Sequence, residues 1–206
     1  MVVAYFVALV VGIGALYWLV LKNSAEKIAK QYVALADSYG LELNQPEPVM
    51  AGFIRPEPSV YGKIKEREIS ISVPGKGLQN TRQIETVLKL EITDNKFAAQ
   101  FTGAGLLGSF RQRDSRGMER WKSGNESFDH AVDARTNDGG VLGRLLEGDL
   151  QSDIISVLKK GKGSIYIGSG VMAYAELGLI ASDACRERFE AVLQLLLRLA
   201  DALDAP

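Results

Sequence analysis

The chain has 206 residues, of which 47% are hydrophobic and 24% are charged, and its net charge is −1. This composition fits one globular domain with one additional element and excludes extended disorder. A nearly neutral chain has no overall positive field to attract nucleic acid, so we expect no nucleic-acid partner. The single cysteine, Cys185, cannot form an internal disulfide bond, which is compatible with a reducing compartment.

Residues 1 to 21 form an apolar run without a charged side chain. As a helix rising about 1.5 Å per residue, this run extends roughly 30 Å, which matches the hydrocarbon thickness of a bilayer. A cleaved signal peptide would need a basic start, a shorter apolar core and a small-residue cleavage site, and the run has none of these. We therefore predict a transmembrane helix over 1–22, with the residues expected at its two membrane interfaces being Tyr5, Tyr17, Trp18 and Lys22.

The charges that flank this helix predict its orientation. Lys22, Lys27 and Lys30 follow the apolar run, and basic flanks stay on the cytoplasmic side of a membrane. We therefore expect a single-pass protein of the bacterial inner membrane, with its soluble domain in the cytoplasm.

Three small residues recur at a spacing of four along the apolar run. Ala4, Ala8 and Gly12 share one face of a helix, where they would allow a second helix to approach closely. The alternative is that small residues are simply common in membrane helices. The pattern gives the hypothesis of an integral membrane protein as partner.

An amphipathic helix is predicted directly after the span, within a juxtamembrane segment 23–40. Asn23 or Ser24 is the candidate N-cap, and Gly40 the candidate stop. The apolar face can pack against its own domain or lie against a partner or the lipid surface, and we favour its own domain. The apolar residues at helical spacing are Ile28, Tyr32, Leu35 and Ala36.

The remaining segment, 41–206, is predicted to be an α+β domain. Four prolines between 44 and 58 favour an extended connection. Four β-prone runs follow, "SVYGKI", "REISISV", "TRQIETVLKLEI" and "KFAAQF", in which apolar and polar residues alternate where one face is buried. The apolar members expected to point inward include Ile69, Ile71, Ile84, Leu88 and Leu90. We expect an antiparallel meander of strands.

The second half of the domain is richer in helix. Residues 138 to 160 are predicted to be helical with an interruption at Gly148, and "SIYIGSGVMAYAEL" predicts a hairpin. Ser182 or Asp183 would cap a C-terminal amphipathic helix that covers one sheet face. The predicted fold class is therefore α+β, with an N-terminal transmembrane helix, a largely antiparallel sheet, segregated helices and this C-terminal helix.

A glycine pattern in "FTGAGLLGSF" raises the question of nucleotide binding. Gly103, Gly105 and Gly108 have the spacing of a dinucleotide fingerprint, but no helix-period sequence follows them. A P-loop would require lysine where Ser109 stands. We expect a turn or bulge between strands and no nucleotide or other cofactor.

The one histidine, His130, has no second histidine to complete a metal set, so we predict no metal site. If the run 128–135 is a strand, Phe128 and His130 point to one face and Asp129 and Asp133 to the other. This geometry disfavours a catalytic site, and we predict no catalytic residue. An enzyme or small-ligand site around Phe128, Asp129 and His130 is kept as the alternative. Cys185 could act as a distant nucleophile, but a small packed side chain is the simpler interpretation.

Two basic clusters could meet lipid phosphates, which gives a lipid-sensing domain as a further alternative. Solvated loop charge is the simpler interpretation, because acidic residues are interspersed. The clusters comprise Lys159, Lys160 and Lys162, and Arg111, Arg113, Arg116, Arg120 and Lys122.

Several segments together resemble a group of bacterial membrane-anchored proteins without an assigned activity. These segments are the apolar anchor, "ADSYGLEL", "PSVYGKIKEREISISV", "SGNESFDHAVDART" with its G-x-x-x-F-D pattern, and the final hairpin and helix. The resemblance covers residues 31 to 204 and implies the architecture, without any catalytic residue. We predict a non-catalytic accessory or structural subunit of a larger membrane complex, and a respiratory or photosynthetic complex would be a suitable host.

Overall fold

The computed structural model describes residues 2–75, 84–104, 117–160 and 163–204. Its first element is one continuous helix, α1, from Val2 to Tyr39. Asn23 and Ser24 lie inside this helix, so the prediction that one of them caps a second helix is wrong. At about 1.5 Å per residue, α1 is about 57 Å long and extends well beyond a bilayer.

The second part of α1 packs against the domain through the apolar face that the sequence predicts. Tyr32, Leu35 and Ala36 are buried, and Ile28 packs against the same core. The helix ends at Gly40, whose φ of 63° is available to glycine without strain. The amide of Leu41 then donates to the carbonyl of Ala36 at 2.9 Å, which closes the last turn.

The first four strands pair in chain order, and the three of them that lie in "SVYGKI", "REISISV" and "TRQIETVLKLEI" form the meander that the sequence predicts. The first strand was not predicted, and the fourth predicted run, "KFAAQF", does not extend this meander. β1 (Glu42–Asn44), β2 (Ser59–Ile64), β3 (Arg67–Ser72) and β4 (Glu85–Glu91) pair antiparallel in chain order. Ile69 and Ile71 are buried and pair with Leu90 and Leu88, as their alternation predicts. Ile84 is different, because it precedes β4 and its side chain is 56% exposed.

The other five strands depart from a simple meander. The hairpin of β8 (Gly163–Gly168) and β9 (Val171–Leu177) lies between β4 and β5 (Ala99–Gly103), and β7 (Val132–Thr136) and β6 (Glu119–Trp121) complete the sheet. The order is β1-β2-β3-β4-β9-β8-β5-β7-β6, and all neighbours are antiparallel. The predicted hairpin is confirmed, with Ser169 and Gly170 in the turn.

Four further helices lie within the described residues, and local signals mark the boundaries of several of them. Gly148, at a φ of 68°, separates two of them as the sequence suggests. The oxygen of Ser182 accepts from the amide of Cys185 at 3.3 Å and caps the last helix. The helices are α2 (Glu126–Ala131), α3 (Gly139–Leu145), α4 (Leu150–Lys160) and α5 (Asp183–Leu203).

The main core lies between one face of the sheet and the packed parts of α1, α4 and α5. α5 contributes a long apolar face to this core, including Phe189, Val192 and Leu196, all of which are buried. The opposite face of the sheet carries a small apolar patch of Val87, Ala173 and Ala175. The fold is therefore α+β, with a long apolar helix and, among the described residues, a nine-stranded antiparallel sheet, and the predicted fold class is confirmed.

Candidate functional site

The first part of α1 presents its apolar side chains outward. Within the described part of the chain, α1 is the one helix long and apolar enough to cross a membrane, and its most apolar stretch is not buried against the protein. Burying a surface of this size in lipid instead of water is strongly favourable, so α1 fits a membrane anchor. The exposed large apolar residues are Tyr5, Phe6, Val7, Leu9, Val10, Val11, Ile13, Leu16, Tyr17, Leu19 and Val20.

The residues predicted at the inner membrane interface form a small cluster on α1. The ammonium of Lys22 lies 5.4 Å from the centre of the Trp18 ring, which is a cation–π distance. Lys22 also lies 3.9 Å from the carboxylate of Glu26 one turn later. Tyr17 is exposed beside them, and Tyr5 is exposed near the other end of the span. This arrangement suits an interface, and the interfacial role of these residues stays a prediction.

The predicted helix-packing face is open along the described part of the span. Ala8 is exposed, and a Cβ placed on Gly12 would have no atom within 4 Å. The backbone of Ala4 continues the helix, while its side chain lies outside the described part. This open surface would allow a neighbouring helix to approach closely, although helix packing by these residues stays a prediction.

One loop of the domain reaches back to the span. This basal loop, Val49–Arg55, contains a short 3₁₀ turn at Met50–Gly52 and a bridge between Val49 and Ile54. A Cβ on Gly52 would lie 3.2 Å from Nε1 of Trp18, so the loop backbone lies directly against the indole ring. The guanidinium of Arg55 donates from Nε to the carbonyl of Gly52 at 3.1 Å. The sequence predicted an extended segment here but not its contact with Trp18.

A small cavity lies behind the basal loop. Its volume is about 110 Å³, and it is lined by Ala25, Ile28 and Ala29 of α1 and by prolines on both sides of the loop. Ligand pockets for drug-sized molecules are larger, from about 300 Å³ upward. The cavity between α1 and the loop is therefore too small to bind such a ligand.

The region around Asp129 and His130 differs from its predicted geometry. Residues 126–131 form α2, and the strand begins only at Val132, so the prediction that Phe128 to His130 alternate along a strand is wrong. The side chain of Asn125 caps α2 by accepting from the amide of Ser127 at 3.0 Å. Phe128 is buried and meets Trp121 edge to face, with ring centres 6.4 Å apart.

Asp129 stabilises the turn before α2. Its carboxylate accepts from the amide and hydroxyl of Ser123 at 2.9 and 3.0 Å and from the amide of Gly124 at 3.2 Å. Desolvation by burial alone would raise the pKa of Asp129, but these hydrogen bonds outweigh it and keep the pKa below its ordinary value. His130 is exposed beside an open depression on the surface. The arrangement does not support the alternative enzyme or ligand site. The carboxylate of Asp129 already accepts hydrogen bonds from the turn, and the imidazole of His130 faces water.

Cys185 belongs to a polar cluster between β9 and α5. The guanidinium of Arg188 forms a two-point ion pair with the carboxylate of Glu176, donating from Nε at 2.8 Å, and Tyr174 donates to the same carboxylate at 2.6 Å. Nη2 of Arg188 lies 3.4 Å from the sulfur of Cys185. Sequence reasoning missed this cluster, because it joins residues from a strand and a helix through the fold.

The protonation states in this cluster favour a structural role for it. Burial and the charge of Glu176 raise the pKa of the Cys185 thiol, although Arg188 opposes them. A thiol held in its protonated form is a poor nucleophile, which favours the prediction that Cys185 is a packed small side chain. Burial together with Glu176 also raises the pKa of Tyr174, so the tyrosine stays a hydrogen-bond donor.

The remaining candidates lie partly outside the described residues. Gly103 ends β5 and pairs with Val132, but Gly105, Gly108 and Ser109 of the glycine pattern are outside. Of the basic clusters, Arg111, Arg113, Arg116 and Lys162 are outside, as is the side chain of Lys160, whereas Lys159 is exposed.

The two described members of the larger basic cluster already have partners. Arg120 lies 3.2 Å from Asp133, and the ammonium of Lys122 donates to the carbonyl of Asp129 at 3.3 Å. Within residues 2–75, 84–104, 117–160 and 163–204, no group of three or more His, Cys, Asp or Glu side chains is arranged to hold a metal ion.

No protein-family model matches the sequence, and no curated protein matches it either. The fold is similar to a solved structure, the crystal structure of the mycobacterial trehalose monomycolate transport factor A, TtfA. The TM-score is 0.59, the similarity covers 86% of this chain and 94% of that one, and the sequence identity is 12%. At this identity the similarity shows the fold alone.

Proposed function

We propose that the protein is a membrane-anchored, non-catalytic accessory subunit of a larger membrane assembly. The main support is α1, which continues without interruption from an outward-facing apolar half to a half packed into the domain core. Two of the side chains considered for chemistry are engaged in contacts within the fold. Asp129 holds a turn, and Cys185 lies in the cluster formed by Arg188 and Glu176.

In this proposal, α1 both anchors the domain and recognises the partner. Ala8 and Gly12, with Ala4 before them, would form the surface on which a transmembrane helix of the partner packs. Tyr5 and Tyr17, with Trp18 and Lys22, would set the depth of the span. The lysines after the span would keep the domain on the cytoplasmic side of a bacterial inner membrane.

The structural neighbour favours one kind of assembly. TtfA is described as a transport factor, whereas nothing in the described part of this chain favours the respiratory or photosynthetic host suggested by the sequence. We therefore propose an assembly that transports a substrate. The argument is an analogy between folds, so it identifies neither the transporter nor its cargo.

The test is to fill the small-residue face. The double variant Ala8→Leu with Gly12→Leu adds bulk where the isolated chain has space, so the protein should fold and insert normally. Recovery of the partner in mild detergent should fall at least about tenfold, which corresponds to about 1.4 kcal/mol of lost helix packing.

The matched control is Val10→Leu with Gly14→Leu, which has the same spacing on the opposite face of the helix. Recovery with this control should equal that of the natural chain. The proposed docking face would be contradicted if partner recovery were unchanged in Ala8→Leu with Gly12→Leu. It would also be contradicted if both double variants lost the partner equally.

A further inference from the structure

We propose that the basal loop, Val49–Arg55, is a second membrane contact that enters the lipid headgroup region and the upper part of the acyl chains beside the span. The proposal rests on the anchoring of α1 in a membrane, as put forward above. It assigns a role to a segment that the docking face does not use.

The position of the loop follows from its contact with α1. The backbone at Gly52 lies against the indole of Trp18, with the Cβ position 3.2 Å from Nε1. Trp18 precedes Lys22 by about one helical turn, or about 6 Å along the axis in the direction of the span. Any bilayer position that places Trp18 at the interface therefore places the loop there too.

The tip of the loop is apolar and faces outward. Met50 is 71% exposed and Phe53 48% exposed, and Val49 and Ile54 are exposed beside them. Four large apolar side chains are exposed within six residues, whereas single exposed apolar residues are ordinary on a soluble surface. Aromatic and aliphatic side chains at this level gain free energy by entering the boundary between headgroups and acyl chains.

The loop backbone is already prepared for a poorly hydrated environment. The amides of Val49 and Ile54 each donate to the carbonyl of the other, at 2.9 and 3.2 Å, and the amide of Gly52 donates to Val49 at 3.1 Å. The carbonyl of Gly52 accepts from Arg55. Backbone groups paired within the loop do not have to lose water without compensation when the loop enters lipid.

Two cations lie beside the loop, together with the acidic residues Glu26, which pairs with Lys22, and Glu57. Arg55 lies at the base of the loop, and Lys22 lies over the Trp18 ring at the same level of α1. Cations at this depth can reach lipid phosphates while their apolar stems stay among the acyl chains. The prolines on both sides of the loop, Pro46, Pro48, Pro56 and Pro58, restrict the backbone, so that the tip is a fixed projection and its ordering costs little entropy.

The depth of the loop can be measured with a fluorescent label in the full chain. In a Cys185→Ser background, Met50→Cys, Leu16→Cys and Glu66→Cys are each labelled with an environment-sensitive dye and reconstituted into vesicles of phosphatidylcholine and phosphatidylglycerol. Leu16 reports the span, and Glu66 lies in the exposed β2–β3 turn, beside residues that contact the end of α5. Circular dichroism checks that all three variants fold alike.

A loop in lipid predicts that the label at position 50 is quenched by nitroxide groups carried on the upper acyl chain. Quenching by aqueous iodide should be at least about threefold weaker than at position 66, because the tip lies below the headgroups. Position 16 should be protected from iodide more strongly still.

The outcomes separate the two proposals. If position 50 behaves like position 66 while position 16 is protected, the loop lies in water and this inference is overturned, but the anchor stands. If position 16 itself is open to iodide, the anchor fails and the inference fails with it. Because the vesicles contain only lipid and this protein, quenching by labelled lipid at position 50 cannot come from a partner protein.

Discussion

The two halves of α1 have the same backbone geometry but different surroundings. Up to about Lys22, large apolar side chains point outward on every side, whereas from Ile28 to Tyr39 the main apolar face is buried and Val33 is the one large apolar residue that is exposed. This difference shows that the pattern of side chains, and not the helical backbone, determines whether a segment is stable in lipid or against a protein surface in water. A helix that is apolar all round suits lipid, and one with a single apolar stripe suits a protein surface in water.

The comparison is tested most strongly by making the same substitution in both halves. Leu35 is 0% exposed and Leu16 is 65% exposed. Leu35→Ala removes packed methyl groups from the core and should lower the free energy of unfolding of the domain by about 3 kcal/mol. Leu16→Ala should leave this free energy nearly unchanged, because its side chain is exposed and is not part of the core. Urea denaturation in a mild detergent, followed by circular dichroism, measures both.

Equal losses from the two variants would mean that the first half of α1 also packs on the domain. That result would contradict the separation of the helix into a lipid-facing and a protein-facing half. A lower free energy of unfolding in Leu35→Ala alone would support this separation.

A second test concerns charges rather than apolar groups. The domain buries Glu176 beside Arg188, so Arg188→Met leaves a carboxylate with little water and one lost partner. We expect a loss of about 2 kcal/mol in the free energy of unfolding, since hydrogen bonds to charged groups are among the strongest. The matched control is Arg198→Met, which breaks an exposed pair with Asp153 and should cost under about 1 kcal/mol.

The same denaturation series distinguishes the two arginines. If both variants lost equally little, the cluster around Glu176 would contribute no more than a surface pair. Recovery of stability in Arg188→Lys would show that charge alone suffices, and its absence would show that the two-point geometry is required.

The smallest expected effect lies at the end of the domain away from the span. The hydrogen bond from Lys65, at 2.9 Å, is the main cause that holds the pKa of Asp201 below its ordinary value of 3.8, with help from the charges of Lys65 and Arg67. A depressed pKa means that ionised Asp201 stabilises the fold above about pH 4, and that this contribution is lost as the pH falls through the folded-state pKa.

Asp201→Asn should therefore destabilise the protein slightly at pH 7, by under about 1 kcal/mol. The difference between variant and natural chain should shrink between about pH 4 and pH 2. Urea midpoints at pH 7 and pH 2 check this expectation. A difference that stayed constant with pH would show that the carboxylate charge is not what stabilises this contact.

Much of the architecture follows from local patterns. The alternation of Ile69 and Ile71 predicts β3 and its buried face, and the stripe through Tyr32 and Leu35 predicts how α1 packs. These predictions succeed because they depend on periodicity within one element. Gly148 and Ser182 likewise act through local conformation, so their roles could be predicted as well.

The failures have two causes, a local signal that was misread and contacts between residues distant in the chain. In α2, the alternation through Phe128 and His130 indicated a strand, but the Asn125 cap and the hydrogen bonds that Asp129 accepts favour a helical turn. The strand order, the Glu176–Arg188 pair and the contact of the basal loop with Trp18 join residues distant in the chain. No local pattern encodes such contacts. The sequence therefore predicts the apolar helix and its interface residues but not the loop that contacts them.

The absence of a break at Asn23 and Ser24 has a mechanical consequence. A domain joined to its span by a flexible linker can rotate independently of that span. Here one continuous helix connects the two, so the apolar half of α1 and the domain move together. If α1 spans a membrane as proposed, a rotation or tilt that a partner helix imposed on α1 would be transmitted directly to the sheet. The domain would then respond to partner docking without a change in its fold.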